Sequence, residues 1–131
     1  MAIVFLALDD VRLIHADQIE RYGGSTGVRD LRLLESAIAV VQASFAGVPL
    51  QQDIYEMAAA YMVHLVKNHP FVDGNKRTGL ASALIFLEIN GVQVVVDDEA
   101  LYQLVMDVVA NRADKRRASE VLRSSGPDTR A

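Results

Sequence analysis

An all-α fold, one compact single-domain bundle of about six helices, is what this sequence predicts. Apolar residues recur at helical spacing through most of the 131 positions. Aspartates stand just ahead of the apolar runs, where a side-chain oxygen caps the free N–H groups of a first turn. Glycine and proline interrupt the pattern only briefly, so no linker or second domain is expected.

The elements follow in order. Ile3 to Ala7 reads as a short strand. Asp9 or Asp10 caps a first helix that runs to about Arg21 and stops at Tyr22-Gly23-Gly24. Asp30 caps a second, with Leu31, Leu34, Ile38 and Val41 at helical spacing. Gly47 and Pro49 mark a loop. Asp53 with Glu56 opens a third helix in the manner of a capping box. Ala58, Ala59, Tyr61, Met62, Leu65 and Val66 leave that helix little polar face, which makes it central. Pro70 stops it and biases His69 toward an extended backbone. Leu80, Ala81, Leu84, Ile85 and Leu87 form a fourth helix, nearly all apolar, that Asn90-Gly91 ends. The β-rich stretch 92–96 is suited to pair with residues 3–7 as a short ribbon. Asp97 or Asp98 caps a fifth helix with Leu101, Leu104, Val105 and Val108 inward, and a sixth runs from about Asp114 to Arg123. Residues 124–131, opening Ser-Ser-Gly-Pro, are expected to form a flexible tail behind a domain spanning 1–123.

Composition narrows the function. Hydrophobic residues make up 51% and charged residues 23%, as in a soluble globule. The absence of cysteine excludes disulfides and thiolate-held metals and points to a reducing cytoplasm. The apolar opening reaches Asp9 too soon for a secretory signal, and no apolar run approaches the roughly 20 residues of a membrane span. A formal net charge of -4 argues against non-specific nucleic-acid binding. Residues 112–131 reverse the balance, with 6 basic and 3 acidic side chains, as a solvated helix and tail commonly do.

The chemistry concentrates between the two most apolar helices, in His69-Pro70-Phe71-Val72-Asp73-Gly74-Asn75-Lys76-Arg77. Apart from histidines, the only basic residues between positions 33 and 111 are Lys67, Lys76 and Arg77. Cations gathered there want an anion. Gly74 followed by a helix start offers backbone N–H groups and the positive end of a helix dipole, a nest suited to phosphates. Two cations in a first turn disfavour the helix alone, and a bound polyanion reverses that penalty. His69 can take a proton from a hydroxyl, and Asp73 can hold Mg²⁺ against phosphate oxygens. Phe71, apolar in a polar loop, is expected to anchor the loop in the core. Taken singly these residues have ordinary structural roles: a C-cap for His69, an N-cap for Asp73 or Asn75, core for Phe71. Their combination within nine residues favours a phosphate site. His64 reads as a satisfied core histidine and His15 as semi-exposed on an amphipathic helix, neither spaced to share a metal with His69.

The nine residues resemble the signature of the Fic/Doc (Fido) superfamily, His-x-Phe-x-Asp/Glu-Gly/Ala-Asn-Gly/Lys-Arg, and lysine after the asparagine resembles its Doc, or death-on-curing, toxin branch. Arg21-Tyr22-Gly23-Gly24, Gly27, Asp30 and Leu34-Glu35-Ser36-Ala37 extend the likeness, as do Asn68, Thr78, Ala83 to Leu87 and Asn90-Gly91, over roughly residues 5–123. The resemblance implies a compact helical fold and a toxin of a type II toxin–antitoxin operon. It implies His69 as base, Asp73 as the Mg²⁺-positioning acid, and Gly74 and Asn75 in the anion nest. Lys76, Arg77 and, two before the histidine, Lys67 would serve the nucleotide phosphates.

Two departures from AMP-transferring Fic proteins bear on the reaction. Lys76 stands in place of a glycine, and Leu80 occupies the position of their second arginine. The resemblance therefore implies Doc-type chemistry, a kinase moving the γ-phosphate of ATP to a threonine or serine, with translation elongation factor Tu as target. Fic enzymes are often restrained by a Ser/Thr-x-x-x-Glu helix. No serine or threonine here has glutamate four residues on, so restraint is expected from a separate, Phd-like antitoxin with a disordered segment. AMP transfer, and a nucleotide- or antitoxin-binding module without catalysis, are the alternatives. The intact His69 and Asp73 weigh against the latter.

Overall fold

The structure, a computed structural model, describes residues 2–95 and 97–124. Six α-helices carry it: α1 Leu8–Tyr22, α2 Leu31–Ala39, α3 Ile54–Asn68, α4 Asn75–Ile89, α5 Asp98–Val109 and α6 Lys115–Ser124. A short 3-10 segment, Val40–Gln42, extends α2, and the two-residue strands β1 (Ser44–Phe45) and β2 (Val48–Pro49) pair antiparallel in a small hairpin. Among the described residues no helix is long and apolar enough to cross a membrane.

Local capping starts most helices. Asp30 accepts from the Leu33 N–H at 3.0 Å, Asp53 from Tyr55 and Glu56 at 2.9 Å, Asp97 from Ala100 at 3.2 Å and Asp114 from Arg117 at 2.9 Å. The first helix differs from the expectation. Ala7 is its N-cap, and Asp10 reaches back one turn to accept from the Ala7 N–H at 2.8 Å.

α3 is the axis of the core. Met57 to Val63, Leu65 and Val66 are all buried, and α2, α4, α5 and α6 pack around them. The α3–α4 crossing is close because position 79 has no side chain. A Cβ on Gly79 would stand 2.8 Å from Val66 Cγ2 and 3.1 Å from the Met62 carbonyl oxygen. The buried face of α4 is accordingly small or polar near its start (Asn75, Thr78, Gly79, Ser82, Ala83) and aromatic or aliphatic only at Phe86 and Leu87. Leu80 and Leu84 are half-buried instead, on the side of α4 that faces α5.

The ribbon expected from residues 3–7 and 92–96 does not form among the described residues, which leave out position 96. Side chains satisfy the N-terminal backbone in its place. Asn90 exchanges two hydrogen bonds with Val4, accepting from its N–H at 2.8 Å and donating to its carbonyl at 2.9 Å. The buried Tyr61 hydroxyl accepts from the Leu6 N–H at 2.9 Å and donates to the Leu6 carbonyl at 3.2 Å. Burial raises the Tyr61 pKa to about 12, so the hydroxyl stays a donor. His64 is not the satisfied core residue expected: its buried Nε2 has no hydrogen-bond partner, and burial, with Lys115 nearby, lowers its pKa. Ser124 closes α6, and the rest of the expected tail, 125–131, lies outside the described residues.

Candidate active site

α3 ends at Asn68, and His69 follows as its C-cap in the left-handed region, φ 51° and ψ 52°. The extended conformation expected ahead of proline is not adopted. A left-handed backbone costs a residue with a side chain roughly 1–3 kcal/mol and persists only where the surroundings impose it. The surroundings here are residues 27–30. The Arg29 and Asp30 N–H groups both donate to the Pro70 carbonyl, at 2.7 and 3.0 Å, and the Val72 N–H donates to the Gly27 carbonyl at 3.0 Å. Arg29 also donates through Nε to the His69 carbonyl at 2.7 Å and through Nη2 to the Asn68 carbonyl at 3.0 Å.

Phe71 is 1% exposed, and its ring stacks flat on His15, centroids 3.8 Å apart and planes within 4°. His15 is itself 5% exposed, contrary to its expected semi-exposed place. Its Nε2 lies 2.8 Å from the Asp73 carbonyl oxygen, which can only accept, so the proton sits on Nε2. Asn75 closes the loop from the other side, accepting from the Phe71 N–H at 2.9 Å and donating to the Phe71 carbonyl at 3.0 Å. Its side-chain amide is thereby committed to the loop.

The Asp73 carboxylate is exposed yet oriented. Oδ2 accepts from the Ser25 N–H at 3.2 Å and Oδ1 from the Gly74 N–H at 2.8 Å. These two bonds, chiefly the one from Ser25, hold its pKa below the usual carboxylate value, with the charges of Arg77 and His15 adding to the effect. Gly24 makes room for this arrangement: at φ +118°, a Cβ there would stand 2.7 Å from Asp73 Oδ2.

α4 begins differently from its neighbours. Its N-cap is Gly74, left-handed at φ 79° and without a side chain to cap the first turn. Lys76 and Arg77 occupy that turn, with no acidic residue among them. Arg77 reaches back to α1, donating to the Gly23 carbonyl at 2.8 Å with its guanidinium 5.8 Å from the centre of the Tyr22 ring.

His69, Asp73, Gly74, Asn75, Lys76 and Arg77 line one cleft of about 370 Å³, with Val66 and Val109 as its apolar walls. Lys67 is not brought to it. It points to the α5–α6 connection, where Nζ bonds the Asn111 side chain, and lines a separate depression with Asn111 to Lys115. Beyond Lys76 and Arg77 the cleft adjoins an apolar groove lined by Leu80, Leu84, Leu101, Tyr102, Val105 and Met106. Sequence reasoning missed His15, Gly24, Ser25 and Arg29. Their contacts span 39 to 58 positions along the chain, and no local spacing signals them.

One carboxylate, ionised and exposed beside a phosphate-suited helix start, fits Mg²⁺, which is commonly held by one or two carboxylates together with substrate phosphates. Among the described residues no cluster of three or more His, Cys, Asp or Glu side chains is placed to hold a metal alone.

Known proteins resemble this chain over most of its length. The Fic/DOC family model matches residues 5–87, more than half of the chain. The chain is 45% identical over 92 residues to "Toxin Doc" of Mycolicibacterium smegmatis, covering 70% of this chain and 71% of that protein. It is 36% identical over 115 residues to "Protein kinase doc" of Escherichia phage P1, covering 88% and 90%. A helical bundle, the His69–Arg77 loop and these matches together make the chain a member of the Fic/DOC family, on its Doc branch.

Proposed function

We propose that the protein is the toxin of a toxin–antitoxin module and acts as a Doc-type kinase, moving the γ-phosphate of ATP to a threonine or serine hydroxyl of a protein, with elongation factor Tu as target. The carrying observation is the start of α4, an uncapped first turn bearing Lys76 and Arg77 in the same cleft as His69 and Asp73. The two matched Doc proteins, named as a toxin and as a protein kinase, support the reading.

Each residue then has a task. The N–H groups of the first turn of α4 and the Lys76 ammonium receive the phosphates. Asp73 would hold Mg²⁺, which when bound offsets phosphate charge. His69 takes the proton of the target hydroxyl as its oxygen bonds to the γ-phosphorus. The bond between that phosphorus and the β,γ-bridging oxygen breaks, and ADP leaves. Leu80 places no second arginine beyond Arg77, and Lys76 brings a cation where AMP-transferring relatives keep glycine, which favours phosphate over AMP as the group moved. Because no Ser/Thr-x-x-x-Glu segment is present, restraint falls to a separate Phd-like antitoxin.

Mass spectrometry of elongation factor Tu after incubation with the protein, ATP and Mg²⁺ tests the reading. A single added phosphate is expected. An AMP adduct, or an unchanged target, would overturn it.

A further inference from the structure

A catalytic base is usually oriented by a third group bonded to its other nitrogen. Among the described residues no side chain or backbone group hydrogen-bonds the His69 ring, whereas its backbone is held firmly. That backbone is left-handed, and both carbonyls leading into the loop, Asn68 and His69, are taken by one guanidinium. We infer that Arg29 is the positioning residue of His69: its two-pronged bond to the end of α3 fixes the left-handed turn that aims the imidazole into the cleft.

Three features favour this role for Arg29. The guanidinium sits at the negative end of the α3 dipole, where a cation is favourable. Its planar fork matches two adjacent carbonyls, a geometry that lysine cannot reproduce. Its own main chain is pinned to the same loop by the bond to the Pro70 carbonyl at 2.7 Å, so fork and loop move as one body. Arg29 is also exposed. Exposed charged contacts contribute little to folding. Losing this one should leave the bundle intact and disturb only the direction of His69.

The inference rests on His69 being the base of the proposed transfer, and its test has an arm independent of that reading. Arg29→Lys and Arg29→Ala are compared with the wild type by histidine-labelled NMR, ATP titration in the presence of Mg²⁺, and transfer kinetics. The chain has three histidines, so His69→Ala assigns the signal. In both variants the His69 ring signal should move or broaden while those of His15 and His64 stay. The helical signal and the ATP dissociation constant should stay within about twofold, and kcat should fall between about tenfold and 10²-fold, the scale of a small misplacement of a reacting group. An unmoved His69 signal in both variants overturns the inference even if the wild type transfers nothing, whereas a wild type without transfer and a moved signal overturns only the proposed function. Retained kcat, or loss of helicity in both variants, also overturns it, the latter by making Arg29 a folding residue.

Discussion

The starts of α3 and α4 follow opposite rules within the same protein. At α3, Asp53 caps two N–H groups, Glu56 reaches back to the Gln52 N–H at 3.3 Å, and Arg123 pairs with the Asp53 carboxylate at 2.8 Å. The first turn is closed by its own residues. At α4 a glycine leaves the turn uncapped, two cations stand where carboxylates would help, and the carboxylate that precedes it in the chain, Asp73, accepts from the Ser25 and Gly74 N–H groups. A helix gains from an acid near its N-terminus and loses from a base there, by about 0.3–1 kcal/mol each. The difference is what the proposed phosphate site requires, a first turn left open at α4 for an anion from outside.

Breaking the open end should cost activity, and breaking the closed end should cost stability. His69→Ala should have the largest effect, a loss of transfer of about 10²- to 10⁴-fold, with growth inhibition abolished and circular dichroism unchanged. Gly24→Ala should come next. Its methyl would collide with the Asp73 carboxylate and strain a backbone at φ +118°. A fall in transfer of roughly tenfold to 10²-fold is expected in a rate assay. At the closed end, Asp53→Ala should lower the unfolding free energy by about 1 kcal/mol in denaturant titration while leaving the transfer rate as it was. The smallest effect concerns pH. Asp73 has a depressed folded pKa, so its stabilising contribution is present above the ordinary carboxylate pKa and is lost as pH falls through the lower folded value. The thermal advantage of the wild type over Asp73→Asn should hold from neutrality into mild acid and shrink only below the ordinary carboxylate range.

The closed ends were readable from sequence because capping is a rule of three or four residues: Asp30, Asp53, Asp97 and Asp114 each cap the helix that follows. The His69–Arg77 loop was readable for the same reason, since its residues are neighbours in the chain. What holds the loop was not. His15 under Phe71, Ser25 against Asp73 and Arg29 on Asn68 and His69 are tertiary contacts, and the helical period of α1 alone left His15 semi-exposed. That the expected ribbon does not form among the described residues has a similar origin. Period and β-propensity indicate that residues 3–7 need partners, but not that Asn90 and Tyr61 side chains supply them. Lys67 shows the converse error, a cation close in sequence that the turn of α3 carries away toward Asn111.

The claim that α4 is left open for phosphate is tested most directly by Lys76→Glu, followed by thermal unfolding with and without ATP and Mg²⁺. Without nucleotide the variant should be more stable than the wild type by about 0.6–2 kcal/mol, because a base is removed from the helix N-terminus and an acid now faces it. Nucleotide at 100 times its dissociation constant should stabilise the wild type by about 2.7 kcal/mol, and the variant should gain little. A variant that is less stable alone, or that gains as much from ATP as the wild type, would contradict the account.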